Sequence, residues 1–406
     1  MSEPDQINLS RQMSLFLAMQ AIIHCGPISR ASIAKQTGMS KQTASEVVKL
    51  LGDGGWVREI GRTSGHVGRT ATTYELVPES AFVVAVDLGG TKLRAAIVDL
   101  AGNVLAERVE PTHPKGGKAV AEQIGKLSRA AAADKKLDFN QVKIAVVGCP
   151  GVPDPVTGAV RYAPNIADIG GINFAAEVST ALGVPAKLEN DVNLAVLGEH
   201  WVGAGQGIDH LAFISLGTGV GAGLIVNGEL LRGHGGFAGE LGYLPFGADP
   251  FEPESLRVGA FERVAATHGI KATYASLVGN EVDVPAIFAK LREGDAKAND
   301  VIEKTAAYIA RAVASISVVA NPELVLLGGS IGAQPELLAA TRRLVAQCFP
   351  FPVRVEASEL GNHAALAGAA AIGLNDLHTR LFAKSVPGAA VTLPTPKSGL
   401  TQKAAE

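Results

Sequence analysis

The 406-residue chain is 47% hydrophobic and 18% charged with a net charge of −3, a balance that supports two or three packed domains and excludes nucleic-acid binding through uniform positive charge. Its three cysteines lie far apart without metal-ligand spacing, so we expect reduced thiols in a cytoplasmic protein. The N-terminal residues lack a signal-peptide pattern, and no apolar run reaches the roughly 18 residues of a membrane span, so no membrane association is expected.

The first 78 residues show the pattern of a winged helix-turn-helix domain. Between Arg11 and Arg69 there are eight Lys or Arg against three Asp or Glu. The segment LSRQMSLFLAMQAIIHCG predicts a helix that stops at its Gly-Pro end, and Ser29 and Ser40 are candidate N-caps of two shorter helices joined at Gly38. The second short helix, to about Leu51, is the expected recognition helix. Its candidate DNA contacts are Ser40, Lys41, Gln42, Thr43, Ser45 and Lys49.

A basic hairpin is predicted after these helices. The segments WVREI and TTYEL alternate like strands and enclose the glycine-rich connection GRTSGHVGRTA. Arg62, His66 and Arg69 lie in that connection, which indicates a wing able to approach phosphates or a minor groove. A small oligomerisation domain with solvated charges is the alternative interpretation of the whole segment.

From Ala81 onward the chain contains an internal repeat. The segments AFVVAVDLGGTKLRAAIVDL and HLAFISLGTGVGAGLIV both predict strand, glycine turn, strand, and they lie about 130 residues apart. Helical segments separate these units, an alternation typical of α/β architecture. The repeat predicts two similar α/β lobes with a cleft between them.

The glycine turns are candidate nucleotide-binding sites. Glycine at a hairpin tip lets backbone N–H groups approach phosphates closely, and Asp87 is suited to orient a metal ion or water. Tight turns also use glycine for steric reasons alone, so the prediction depends on the turns acting together. The expected phosphate-binding residues are Asp87, Gly89, Gly90, Thr91, Lys92, Gly217, Thr218 and Gly219, and those expected beside adenosine are Gly328 and Gly329.

The motifs DLGGTK, GCPGVPD, APNI, ENDVNLAVLGE, LGTGVGAGLIVNGELLRG, GFAGELGY and LVLLGGSIG together resemble the ROK family of repressors, open reading frames and kinases over residues 81–375. The resemblance implies a two-lobed, actin-like (RNase H-like) sugar-kinase fold behind the winged helix-turn-helix, which is typical of the family's transcription factors. The expected division is residues 1–78 for the DNA-binding domain, 79–200 for a small lobe completed by a helix at about 361–380, 201–360 for a large lobe, and 384–406 for a disordered tail.

The resemblance also implies roles for individual residues. Asp191 in ENDVN matches the base that removes a proton from a sugar hydroxyl during phosphoryl transfer. Asp191 could instead only begin a helix, Glu240 could be a surface charge, and the match of Glu262 crosses a shortened loop. The expected sugar-binding residues are Asn165, Asn190, Asp191, Glu240, Tyr243 and Glu262.

One segment departs from the family pattern. Tyr243 replaces the family's His, and the following LPFGADPFEPESLRVGAFE contains none of the cysteines of the family's zinc loop. We therefore expect no structural zinc. The hypothesis for this loop is that Phe246, Phe251 and Leu256 pack it instead.

Two functions follow from these patterns. The first is a cytoplasmic, sugar-responsive transcriptional regulator, a repressor of carbohydrate metabolism genes that binds operator DNA as a homodimer or homotetramer and a sugar or sugar derivative in the cleft of its lobes. The second is an ATP-dependent sugar kinase that uses ATP and Mg²⁺, alone or together with DNA binding. Whether the chain is an enzyme stays open at this point. A dimerisation scaffold is the third interpretation, and the polar cluster around Asp191 argues against it.

Overall fold

The computed structural model of the protein describes residues 3–63, 71–163, 165–384, 386, 391–397 and 399. The chain forms two compact units. Of the described residues, the first contains those within 3–149, 155–188 and 369–399, and the second contains those within 150–154 and 189–368. In the described part of the chain, no helix is both long enough and apolar enough to cross a bilayer.

The N-terminal segment of the first unit has the architecture of a winged helix-turn-helix. Both predicted N-caps are confirmed, because the Ser29 hydroxyl accepts a hydrogen bond from the N–H of Ser32 and the Ser40 hydroxyl accepts one from the N–H of Thr43. The strands pair antiparallel in the order β1-β3-β2. The elements are α1 (Glu3–Cys25), β1 (Ile28–Ser29), α2 (Arg30–Thr37), α3 (Lys41–Asp53), β2 (Val57–Thr63) and β3 (Ala71–Leu76).

A five-stranded sheet follows in the first unit, with the order β10-β7-β4-β5-β6. Strands β4, β5 and β6 form an antiparallel meander, and β7 joins β4 in parallel. The apolar run of β4 is buried on both faces, as expected for a strand in the middle of an α/β sheet. The elements are β4 (Phe82–Leu88), β5 (Lys92–Asp99), β6 (Val104–Pro111), α4 (Gly117–Asp134), β7 (Val142–Cys149), the two-residue strand β9 (Val160–Arg161), α5 (Phe174–Leu182) and β10 (Ala186–Asn190). The two-residue strand β8 (Val152–Pro153), which comes between β7 and β9 in the chain, belongs to the second unit.

The second unit repeats this plan. Its sheet has the order β13-β12-β11-β14-β15, in which β11 and β12 are antiparallel and β14 joins β11 in parallel. The internal repeat predicted from the sequence is therefore confirmed at the level of strand order. The elements are α6 (Asp191–Val202), β11 (Leu211–Leu216), β12 (Val220–Val226), β13 (Glu229–Leu230), α7 (Pro253–Val258), α8 (Glu262–Ala265), α9 (Thr267–Val278), α10 (Val284–Arg292), α11 (Ala296–Ala320), β14 (Leu324–Gly328), α12 (Gly329–Gly332), α13 (Pro335–Cys348) and β15 (Arg354–Ala357).

The last helix, α14 (Ala364–Phe382), leads into the C-terminal segment. The disordered tail over residues 384–406 stays a prediction, and the described residues of this segment make contacts with α1. Val386 packs with Phe16 of α1, and the backbone of Thr392 exchanges hydrogen bonds with the side chains of Gln20 and His24. These contacts come from residues at irregular spacing, which no periodicity in the sequence reveals.

Candidate functional site

Helix α3, the predicted recognition helix, presents a polar face. Its buried residues are Ala44, Val47, Val48 and Leu51, so the opposite face carries the predicted DNA contacts. Lys41, Gln42 and Lys49 are exposed, and the side-chain amide of Gln42 donates to Glu46 at 3.0 Å. Glu46 adds an acidic group to this face that the sequence analysis did not include.

The wing lies partly outside the described residues. Strands β2 and β3 form the predicted hairpin, and the backbone of Arg62 pairs with that of Thr72. His66 and Arg69 fall in residues 64–70, which lie outside the described residues. The wing contacts therefore stay predictions.

In the first unit, the β4–β5 turn meets one of the predicted sugar-binding residues. The N–H of Gly89 donates to the carbonyl of Lys92 at 2.9 Å and closes the turn. A Cβ on Gly90 would lie 3.0 Å from the Cβ of Asn165, so the predicted phosphate tip and Asn165 are neighbours. Gly90, Thr91 and Lys92 are exposed and Asp87 is half-buried. The turn thus offers backbone and side-chain donors to a ligand.

In the second unit, the β11–β12 turn lies beside Glu262. One Glu262 carboxylate oxygen accepts the N–H of Val220 at 2.8 Å, and a Cβ on Gly219 would lie 2.9 Å from the same oxygen. The carbonyl of Gly217 accepts both the backbone N–H and the hydroxyl of Thr267, each at 2.8 Å. Thr218 is exposed at the tip. The predicted sugar carboxylate on α8 therefore contacts the predicted phosphate tip.

The glycines predicted beside adenosine have a packing role of their own. A Cβ on Gly328 would lie 2.2 Å from the ring of Phe213, and Gly329 has a φ of +77° with its Cβ position 2.4 Å from the carbonyl oxygen of Leu216. Any larger residue at these two positions would clash with strand β11. The role beside adenosine stays a prediction.

The N-terminus of α6 carries Asp191, the predicted base. Asn190 is the N-cap, and its side-chain oxygen accepts the N–H groups of Val192 and Asn193 at 2.9 and 3.0 Å. Its side-chain amide donates to the carbonyl of Gly151 at 3.0 Å. This arrangement commits the Asn190 oxygen to the helix, so only its second amide hydrogen is left for a sugar hydroxyl. Asp191 follows as the first helical residue.

Three half-buried carboxylates of the second unit influence one another. Burial raises the pKa of Asp191. Burial raises the pKa of Glu240, and the charge of Asp191 raises it further. Burial also raises the pKa of Glu262, and the charge of Glu240 adds to this shift. Such carboxylates suit a polyhydroxyl ligand, since each oxygen accepts hydroxyl hydrogens. In the described part of the chain, no group of three His, Cys, Asp or Glu side chains has a metal-binding arrangement.

The shortened loop is packed only in part as predicted. Phe246 packs against Phe261, with ring centroids 5.2 Å apart, but Phe251 and Leu256 are 88% and 70% exposed. The hypothesis is therefore correct for Phe246 and wrong for the other two. The physical reason is that polar contacts hold this segment: Arg263 binds Glu252 at 2.5 Å and the hydroxyl of Ser255 at 2.7 Å.

Tyr243, at the position of the family's His, is 47% exposed. Its hydroxyl donates to the carbonyl of Arg257 at 3.2 Å. The sequence analysis missed another pair near the carboxylates, Glu189 and Arg232, whose charged groups are 2.7 Å apart. An arginine among glycines (LLRGHGG) and the Glu before Asn190 were the available signals.

The ROK family model, described as "ROK family", matches residues 83–375. The chain belongs to the ROK family. A glucokinase from Thermotoga maritima is 32% identical over 316 residues, 71% of this chain and 96% of that enzyme. A putative xylose repressor from a Caldicellulosiruptor species is 25% identical over 389 residues, 91% of this chain and 97% of that protein.

Solved ROK structures have the same fold. A ROK hexokinase from Thermus thermophilus has 30% sequence identity and a TM-score of 0.64, and covers 73% of this chain and 99% of its own. A ROK family transcriptional regulator, a homologue of the E. coli MLC protein, has 24% identity and a TM-score of 0.75, and covers 92% and 98%.

Proposed function

We propose that this ROK protein is a sugar-responsive transcriptional regulator, a cytoplasmic repressor of carbohydrate metabolism genes that binds operator DNA through α3 and the wing. The observation that carries the proposal is the capped helix α3, which exposes Lys41, Gln42 and Lys49 on a three-helix head. The match of the xylose repressor to 91% of the chain supports it, since the glucokinase matches only 71%.

The sugar is proposed to bind at the carboxylates of the ROK domain. Asp191, Glu240 and Glu262 would accept sugar hydroxyls, with Asn165, Asn190 and Tyr243 as further ligands. A homodimer or homotetramer would place two recognition helices on an operator with two half-sites. Sugar binding would change the affinity for DNA only if the sugar binds the DNA-binding conformation and the released conformation with different affinities.

Gel-shift selection tests this proposal. Purified full-length protein is mixed with a fragmented genomic library, retained DNA is sequenced, and the enriched site is retested with D-glucose, N-acetyl-D-mannosamine and D-xylose. The expected result is a preferred site whose affinity changes with one of the sugars. Equal binding of all fragments at every sugar concentration would refute the proposal.

A second candidate is ATP-dependent sugar phosphorylation, favoured by the raised pKa of Asp191 next to Glu240. A carboxylate with a raised pKa is a stronger base, so Asp191 can take the proton of a sugar hydroxyl as that oxygen attacks the terminal phosphorus of ATP and ADP leaves. In this candidate function, Gly89 to Lys92 and Gly217 to Gly219 would hold Mg-ATP, which would supply the transferred group, and Gly328 and Gly329 would lie beside adenosine.

The kinase test is ATP-dependent phosphorylation of the same sugars. Product formation by the wild type and its loss in Asp191→Asn would support the second candidate. A sugar that raises the melting temperature without being phosphorylated would support a sensor and exclude a kinase for that sugar.

A further inference from the structure

Glu189, the residue before the N-cap of α6, is the centre of a polar network. Its side chain is only 12% exposed, and one carboxylate oxygen accepts a hydrogen bond from Nε of Arg232 at 2.8 Å and forms an ion pair with Nη2 of the same guanidinium at 2.7 Å. The other oxygen accepts the backbone N–H of Asn190 and the side-chain amide of Asn193, both at 3.0 Å. Glu189 therefore contacts the N-terminus of α6 with one oxygen and Arg232 with the other.

Arg232 begins the loop that leads to Glu240. The carbonyl of Arg232 accepts the N–H of Ala238 at 3.2 Å, which folds the loop back on itself. At its far end, the N–H of Ala222 donates to the carbonyl of Gly239 at 2.7 Å, and a Cβ on Gly239 would lie 2.0 Å from the carbonyl oxygen of Ala222. Strand β12 thus fixes the Glu240 end, and the contact between Arg232 and Glu189 fixes the other.

This ion pair differs from an ordinary surface pair. Exposed pairs contribute little because both groups stay hydrated, but here the carboxylate is largely buried and accepts three hydrogen bonds besides the ion-pair contact. Loss of Arg232 would remove a hydrogen bond and the ion-pair partner from a largely buried carboxylate, which is costly. The pair also joins two segments that carry mutually repelling acids, since the charge of Asp191 raises the pKa of Glu240.

We propose that Arg232 is a positioning residue of the sugar site: through Glu189 it holds the loop of Glu240 against the N-terminus of α6, so that Glu240 and Asp191 act on one ligand. This inference rests on the proposed function, because it assigns a role in the binding of the sugar. It also makes a claim about the ligand-free protein. The contact between Arg232 and Glu189, which lie 43 positions apart in the sequence, keeps residues 233–240 ordered.

The experiment compares wild type, Arg232→Ala, Arg232→Lys and the control Arg292→Ala. Arg292 is a matched control because it is 52% exposed, against 53% for Arg232, and pairs with Glu336 in the same unit at 2.5 Å. Amide hydrogen exchange is measured in the ligand-free full-length protein for peptides covering residues 233–240 and 189–195. Binding of D-glucose, N-acetyl-D-mannosamine and D-xylose is measured by calorimetry from pH 5 to 8.

In Arg232→Ala, we expect exchange of residues 233–240 to be at least about tenfold faster and sugar affinity to fall at least about tenfold. Arg232→Lys should recover part of both losses, since a single ammonium group replaces the paired guanidinium contacts. The pH profile of binding should shift in Arg232→Ala, because Asp191 and Glu240 would no longer be held at a fixed separation. Arg292→Ala should match the wild type in all three measurements.

The two claims fail separately. If the wild type binds a sugar and Arg232→Ala binds it equally well with the same pH profile, the inference is overturned and the sugar site stands. If no sugar binds the wild type, the proposed sugar site is refuted. Amide hydrogen exchange alone then tests whether Arg232 orders residues 233–240. Faster exchange in Arg232→Ala but not in Arg292→Ala would support this ordering role of Arg232, and unchanged exchange would overturn it.

Discussion

His378 in α14 is 1% exposed, and burial lowers its pKa to about 4. Its Nε2 lies 3.0 Å from the carbonyl oxygen of Leu100, so Nε2 carries the hydrogen in the neutral ring. Its Nδ1 is buried and has no hydrogen-bond partner among the described residues. Protonation would therefore place a charged N–H in a site without an acceptor, which is a physical cause for the low pKa.

Acidification should destabilise the first unit through this residue. An unfolded histidine has a pKa of about 6.5, so the unfolded chain takes up the proton first as the pH falls. The stability that neutral His378 contributes is present above pH 6.5 and is lost progressively as the pH approaches 4. Between pH 7 and pH 5, the two pKa values correspond to a loss of about 2 kcal/mol in the free energy of unfolding.

The assay is urea unfolding at pH 7 and pH 5, followed by tryptophan fluorescence. The chain has two tryptophans, and the ring of Trp56 lies 5.6 Å from that of Phe382 in an edge contact next to His378. A Trp201→Phe background therefore reports on this region alone. His378→Gln keeps a donor for Leu100 but does not titrate, so its stability should fall by about 2 kcal/mol less than that of the background protein over this pH range. Equal losses in the two proteins would refute the reasoning.

Other parts of the structure give three further predictions. Asp191→Asn should abolish any sugar phosphorylation, and in the wild type the rate should rise with pH through a pKa above that of an ordinary aspartate; a pH-independent rate or an active variant would contradict this. Lys41→Ala and Lys49→Ala should each weaken binding to all DNA sequences and reduce the slope of log affinity against log salt by about 1. Unchanged slopes would show that these two lysines of α3 do not contact DNA phosphates. Removal of residues 385–406 should lower the free energy of unfolding by about 2 kcal/mol, the value of one buried valine such as Val386, and equal urea midpoints with and without the tail would contradict the packing seen at α1.

Local signals in the sequence were sufficient for much of the fold. The caps at Ser29 and Ser40 and the repeated strand–turn–strand units depend on residues a few positions apart, and the structure confirms them. Helix α3 continues to Asp53 instead of ending near Leu51, because Gly52 is tolerated inside the last turn. Helix ends are weakly specified by local sequence.

Contacts between distant residues could not be predicted in this way. The pairing of Arg232 with Glu189 spans 43 positions and that of Thr392 with Gln20 spans 372, and neither leaves a periodic pattern. The exposure of Phe251 and Leu256 was not predicted for the same reason. The conformation of their loop depends on the polar contacts of Arg263, which comes later in the sequence. The motifs located the candidate carboxylates, but their mutual effect on pKa required their positions in space.

The central claim is that one chain couples a DNA-binding head to a sugar-binding ROK domain. The most direct measurement is the affinity of the full-length protein for its selected DNA site, determined by fluorescence anisotropy with and without each sugar, for the wild type and Glu240→Gln. The account predicts that one sugar changes the affinity of the wild type at least fivefold and that Glu240→Gln binds the DNA but does not respond. A wild-type affinity that no sugar changes, at concentrations that saturate the protein in calorimetry, would contradict it.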